Sequence, residues 1–216
     1  MTTSFTAALR ESARPTWDRA VGHRFVTELH EGTIADDTMA AYLIQDHRFL
    51  DSFLALLGGA AATASSFEAR LRLSRFIGEV AGDENTYFLR AFDALGVTEH
   101  DRASIPSTPA TDGFLALFRE AADTRDYAAI LAVLLVTEWL YLDWAAAAPR
   151  PLPDSFVHAE WITLHDNPDF RAFVDFLRSE LDAAGPARAA VARAYFDRTV
   201  QLELDFFEQI YSRSTA

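Results

Sequence analysis

The stretch "YLIQDHRFLDSFLALL", residues 42–57, repeats apolar side chains at spacings of three and four: Tyr42, Leu43, Phe49, Leu50, Phe53, Leu54 and Leu57. That period marks a helix with one buried face. Asp46 falls on the same stripe where an apolar residue is due, so the helix aims a carboxylate at the core. The three-to-four period recurs in nearly every segment between Pro or Gly residues, and no stretch shows sustained alternation with β-branched enrichment. The chain is therefore predicted to be all-α.

Working outward, helices are expected near 4–12, at 15–30 opened by Pro15, at 35–64 after the turn "HEGTIAD", and at 66–95 up to Gly96, with a weak point at "AGDEN" where Gly82 falls. The segment "GVTEHDRASIPSTPATD", with Pro106 and Pro109, is the longest loop candidate and divides the chain into two helical halves. Beyond it, helices are expected at 111–123, 126–148, 154–166, 168–183 opened by Pro168, and 186–212 opened by Pro186. Long helices with short connections pack as a bundle, and bundles place their sites between facing helices. The 216 residues, 50% of them hydrophobic, suit one domain over 1–216.

Charge and composition exclude several classes of function. A formal charge of −13 and a pI of about 4.8 repel phosphate backbones, so nucleic acid is not an expected partner. There is no Cys, and all 19 basic residues are Arg. Without Lys there is no Schiff-base anchor and no P-loop lysine; without Cys there is no thiolate nucleophile, iron–sulfur ligand or disulfide. The opening "MTTSFTAALRESARPTW" lacks a basic start followed by an apolar run, and is not read as a signal peptide. The longest apolar run, "YAAILAVLLV" at 127–136, is about half a membrane span. The expectation is a buried helix of a soluble, cytoplasmic protein with no membrane association.

Two more acids sit on core stripes. Glu138, in "LLVTEWLYLDW", is preceded by eleven uncharged residues, and Glu203 shares a stripe with Phe196, Thr199, Phe206 and Ile210. Burying an unpaired carboxylate costs several kcal/mol or raises its pKa until it neutralises. Each acid alone is open to a bland reading, in which it pairs with Arg48, Arg171 or Arg198 or stays wet at a stripe edge. Jointly they favour a shared cavity. Tyr42 and Phe49, Trp139 and Tyr141, and Phe206 and Phe207 accompany them. Carboxylates beside aromatic walls suit a flat, nitrogen-rich heterocycle, because acids accept from ring N–H and amino groups while rings stack on its faces.

At this point the residues resemble the TenA, or thiaminase II, family of thiamin metabolism. The resemblance spans nearly the whole chain, through "ELHEGTIADDTMAAYLIQDHRFLDSF" at 28–53, "VTEWLYLDWA" at 136–145, "EWITLHDNPDF" at 160–170 and "LELDFFEQIY" at 202–211. It implies a haem-oxygenase-like helical fold, a homotetramer and an aminopyrimidine pocket in which Asp46 and Glu203 grip ring nitrogens and the exocyclic amine. Thr137 stands where thiaminases of the family carry a nucleophilic cysteine. The chain is thus similar to the cysteine-less branch, for which the implied reaction is hydrolysis of aminomethyl- or formylaminomethyl-pyrimidines in thiamin salvage. On this reading Glu138 and Glu203 are catalytic, with Glu138 as general acid/base. Asp46, Phe49, Phe114, Tyr141, His165 and Phe206 bind substrate, with no cofactor and no metal. Phe49, Phe114 and His165 replace tyrosines of the family.

Three rivals remain. A di-metal oxidase of the same fold would use Glu84, Glu138, His165 and Asp169, but Ala91 and Ala172 stand where further ligands are due. Haem binding would need a proximal histidine such as His23. A third reading has the pocket bind a pyrimidine or other small ligand without turnover.

Overall fold

The computed structural model describes residues 3–212, and among them every regular element is helical. Three short helices, α1 (Phe5–Ser12), α2 (Arg14–Val21) and α3 (Arg24–Glu31), lead into the long α4 (Asp36–Thr63). Next come α5 (Phe67–Glu79), a π-helical turn (Val80–Glu84) and α6 (Asn85–Ala94). After them follow α7 (Glu99–Ser104), α8 (Pro109–Thr124), α9 (Tyr127–Ala146), α10 (Phe156–Leu164) and α11 (Pro168–Ala184). A 3₁₀ turn (Gly185–Arg188) then feeds α12 (Ala189–Ser212).

One expected helix is broken and another is distorted. The apolar stripe continues from Trp17 and Ala20 to Phe25 and Leu29, which makes 15–30 look continuous, yet the chain bends at Gly22. His23 takes an extended φ of −66° and ψ of 152°, and its ring Nδ1 accepts from the Phe25 amide as an N-cap. The expected 66–95 helix survives as one rod, but its weak point is a π turn, which packs one extra residue into the helical ladder. The proline-containing loop also holds α7, opened by a capping box between Thr98 and Asp101. At the "HEGTIAD" turn, Gly32 has φ of 67°, the left-handed conformation that glycine adopts without strain.

The helix α9 is the axis. Every residue from Ala128 to Val136 is buried, as suits a helix that is apolar all round. It is long and apolar enough to cross a membrane, but α12, α11, α4, α8 and α2 enclose it. The α8 and α12 helices cross closely because Gly113 has no side chain: a Cβ there would lie 2.6 Å from Leu202 Cδ2. Phe114 and Glu203 follow those two residues in sequence, so the tight crossing brings both to the same interior space.

Candidate active site

Gln45 sets the direction of Asp46. It is fully buried; its amide oxygen accepts from the Thr108 amide (3.1 Å) and the Thr111 hydroxyl (2.9 Å), and its nitrogen donates to the Pro106 carbonyl (3.1 Å). Arg48 holds the same loop by donating to the carbonyls of Arg102 and Ile105. Each residue of helix advances about 100°, so clamping Gln45 and Arg48 to one side turns Asp46 to the interior.

There it lines a cavity with Phe49, Glu84, Phe114, Thr137, Glu138, Tyr141, Trp161, His165 and Glu203, among others. The volume open to the centre of a water-sized sphere is about 50 Å³. The four acids come from four segments: α4, the π turn, α9 and α12. Asp46, Glu138 and Glu203 are 4, 7 and 2% exposed. The arginines that would neutralise them are engaged elsewhere, since Arg198 pairs with Glu120, Arg171 with Asp166, and Arg48 holds loop carbonyls. Among the described residues no hydrogen-bond or ion-pair partner reaches Asp46, Glu84 or Glu203. Glu138 has the Thr137 hydroxyl, 3.3 Å from its Oε1.

The electrostatics follow from that isolation. Burial, reinforced by Glu84, raises the Asp46 pKa well above the ordinary carboxylate range. Burial also raises Glu138, with Glu84 and Asp46 adding repulsion against the weak help of Thr137. Glu203 is raised by burial, then by Asp46 and Glu138. Desolvation alone lifts Glu84 to about 7. Shifts in this direction favour the protonated forms, so the members of the cavity can act as acids as well as bases.

The remaining sequence-predicted residues divide. Phe49 and Phe114 form a wall, with ring centroids 5.3 Å apart. Tyr141 lines the cavity and its hydroxyl meets that of Tyr42 at 2.8 Å. His165 lines it too, and burial lowers its pKa to about 4, so the ring is neutral. Its Nδ1 lies 2.9 Å from the Trp161 carbonyl, which has no proton to give; Nδ1 therefore donates and Nε2 keeps its lone pair. Phe206 is the exception: it is fully buried behind the cavity, 5.4 Å from the Phe49 ring, and supports the wall instead of lining it. Glu84 was weighed only as a metal ligand, yet it lines the cavity. Of that quartet, Asp169 lies outside, and among the described residues no three His, Asp or Glu side chains are grouped closely enough to hold a metal ion. His23 caps α3.

The described residues form a helical bundle around a polar, aromatic-walled cavity, and the fold is haem-oxygenase-like. The structure is similar to a domain of unknown function with that fold from Shewanella denitrificans, with TM-score 0.71, 16% identity, and 96% of this chain and 92% of that one covered. It is more similar to a TenA homologue from Pyrococcus horikoshii OT3, with TM-score 0.87, 21% identity, and 97 and 99% covered. The family model described as TENA/THI-4/PQQC matches residues 10–211, and the chain belongs to that family. Among curated relatives, an aminopyrimidine aminohydrolase of Bacillus subtilis is 23% identical over 79% of this chain and 72% of its own length. A protein of the same name from Helicobacter pylori is 21% identical over 94 and 96%.

Proposed function

We propose that this protein hydrolyses an aminopyrimidine in thiamin salvage, removing an amine from a methylene carbon on the ring without a cysteine nucleophile. One observation carries the reading: four carboxyl groups from four segments, none with an ion-pair partner among the described residues, line one aromatic-walled cavity. The relatives named aminopyrimidine aminohydrolase support it.

In this reading Asp46 and Glu203 hold the ring between them, a protonated carboxyl donating to a ring nitrogen and a carboxyl oxygen accepting from the exocyclic amino group, which strengthens electron release from that amine towards the methylene carbon. Glu138, whose burial favours the protonated form, gives its proton to the departing amine as the C–N bond breaks. Its carboxylate then takes a proton from the water that adds to the carbon, so the products are a hydroxymethyl-pyrimidine and ammonia and Glu138 is restored. Thr137 orients Glu138 through their hydrogen bond. Phe49, Phe114 and Tyr141 flank the ring. The same reading has one domain acting in the cytoplasm as a homotetramer, for which light scattering on the purified protein should give four times the 24.0 kDa chain mass.

Incubation with an aminomethyl-aminopyrimidine should release ammonia and hydroxymethyl-pyrimidine in equal amounts. Saturable binding without product over hours would overturn the hydrolase and leave a binding protein.

A further inference from the structure

The inner cavity adjoins a second one. Glu84 and His165 line both, and the outer cavity is the larger, at about 320 Å³ by the same measure against about 50 Å³. The inner space holds little beyond a single ring, so a bulky substituent on that ring has to extend past the two shared residues.

The polar side chains of the outer cavity offer acceptors and almost nothing else. Glu79, Asp83, Glu84 and Asp169 bring four carboxylates. His165, only 7% exposed, presents an Nε2 lone pair with no partner among the described residues, because its single ring proton is held by the Trp161 carbonyl. Among the described residues Asn167 has the only side-chain amide in the lining, and both ends of that amide are already engaged. Its nitrogen donates to the Thr163 and Leu164 carbonyls, and its oxygen accepts from the Asp169 and Phe170 amides as the N-cap of α11. Among the described residues no arginine lines this space; Arg72 and Arg75 line a separate groove that shares Glu79 and Asp169 with it.

We infer that the outer cavity is the subsite for the substituent that leaves the pyrimidine, and that it selects substituents bringing N–H donors and positive charge over neutral or anionic ones. The inference rests on the aminopyrimidine reading above. Its physical basis is complementarity: a lining of acceptors is satisfied only by a ligand that supplies the protons. A cleft lined by one sign of charge also concentrates the opposite sign. A phosphorylated or carboxylated substituent would face the acidic side chains of Glu79, Asp83 and Asp169, with a proton on Glu84 as the one free side-chain donor among the described residues.

The test uses three aminopyrimidines whose side chain is all-carbon at the scissile position, so that none is hydrolysed, ending in an ammonium, a methyl or a carboxylate group. Calorimetric titration at low salt should rank them in that order, with roughly tenfold or more in Kd between the extremes. The triple variant Glu79→Gln, Asp83→Asn, Asp169→Asn alters only exposed side chains and should shrink that ratio severalfold. His165→Phe keeps a ring and removes the acceptor; it should weaken the ammonium compound more than the methyl one. Equal affinities, no binding of any of the three, or an unchanged ratio in the folded triple variant would overturn the subsite whatever the hydrolysis assay gives. An intact ranking beside an uncleaved aminomethyl-aminopyrimidine upholds the subsite and removes only the hydrolase.

Discussion

Glu138 and Asp143 stand five residues apart on α9 and have opposite surroundings. Asp143 Oδ2 accepts from Arg10 Nη2 at 2.8 Å and from the Trp17 indole at 3.0 Å, at a site a quarter exposed. Glu138 is buried with one hydroxyl for company. The same split runs between α8 and α12. Glu120 accepts from both terminal guanidinium nitrogens of Arg198, at 2.7 and 2.8 Å, and from the Tyr195 hydroxyl at 2.9 Å, while Glu203, five residues beyond Arg198, has no hydrogen-bond or ion-pair partner among the described residues. Paired acids tie the outside of the bundle together. Glu138 and Glu203 face inward without a charged partner, where burial costs stability, and perturbed acids of that kind cluster at functional sites.

The strongest way to break this contrast is at Glu138. Glu138→Gln keeps the shape and removes the proton donor, so kcat for the aminomethyl-aminopyrimidine should fall by about 10²–10⁴. Calorimetric Kd should stay within about threefold. Near-normal turnover in this variant would move the acid/base role elsewhere. Next comes Asp46→Asn, which removes a carboxyl group that holds the ring and should weaken binding by about 10–100-fold. Its melting temperature should not fall, because the change relieves an unpaired buried carboxylate. A clear loss of stability would mean that Asp46 has a structural partner after all.

Asp46, Glu138 and Glu203 were legible in the sequence because each interrupts an apolar stripe of regular period, and regular helices carry all three. Glu84 was not legible as a cavity acid for a definite reason. It ends the π turn, where the extra residue shifts every later side chain off the 3.6-residue count. Gly82 signalled an irregularity there but not its kind. His23 failed for the opposite reason: the stripe carries on across the Gly22 bend as though nothing happened. Phe206, expected to bind substrate, lies one layer behind the cavity wall, because periodicity places a side chain in the interior but cannot tell a cavity wall from the layer behind it. The acceptor lining of the outer cavity joins the π turn to the start of α11, a long-range juxtaposition with no local period to reveal it.

Two smaller predictions set the classes of acid against each other through pH. Glu84, lifted from 4.5 to about 7, binds its proton more tightly in the folded than in the unfolded chain. Its contribution to stability is present below about pH 4.5 and is lost as pH rises to about 7. Relative to wild type without ligand, Glu84→Gln should melt a few degrees higher at about pH 8, with the difference closing towards about pH 4.5. Identical pH profiles would show that Glu84 titrates normally and would place it with the outer acids.

Glu120 should give the smallest effect, with the opposite sign. Arg198, ahead of partial desolvation, holds its pKa at about 2, so its stabilisation is present above about pH 4.5 and fades as pH falls towards about 2. Both partners are about half exposed, so solvent screening keeps the pair below about 1 kcal/mol. Glu120→Gln should therefore lower the neutral-pH melting temperature by no more than about 4 °C, and the deficit should shrink on acidification and in high salt. Turnover should be unchanged, because Glu120 faces away from the cavity lining. A loss of activity at intact stability would break the division most directly, since it would show an outward, fully paired carboxylate influencing the inner four.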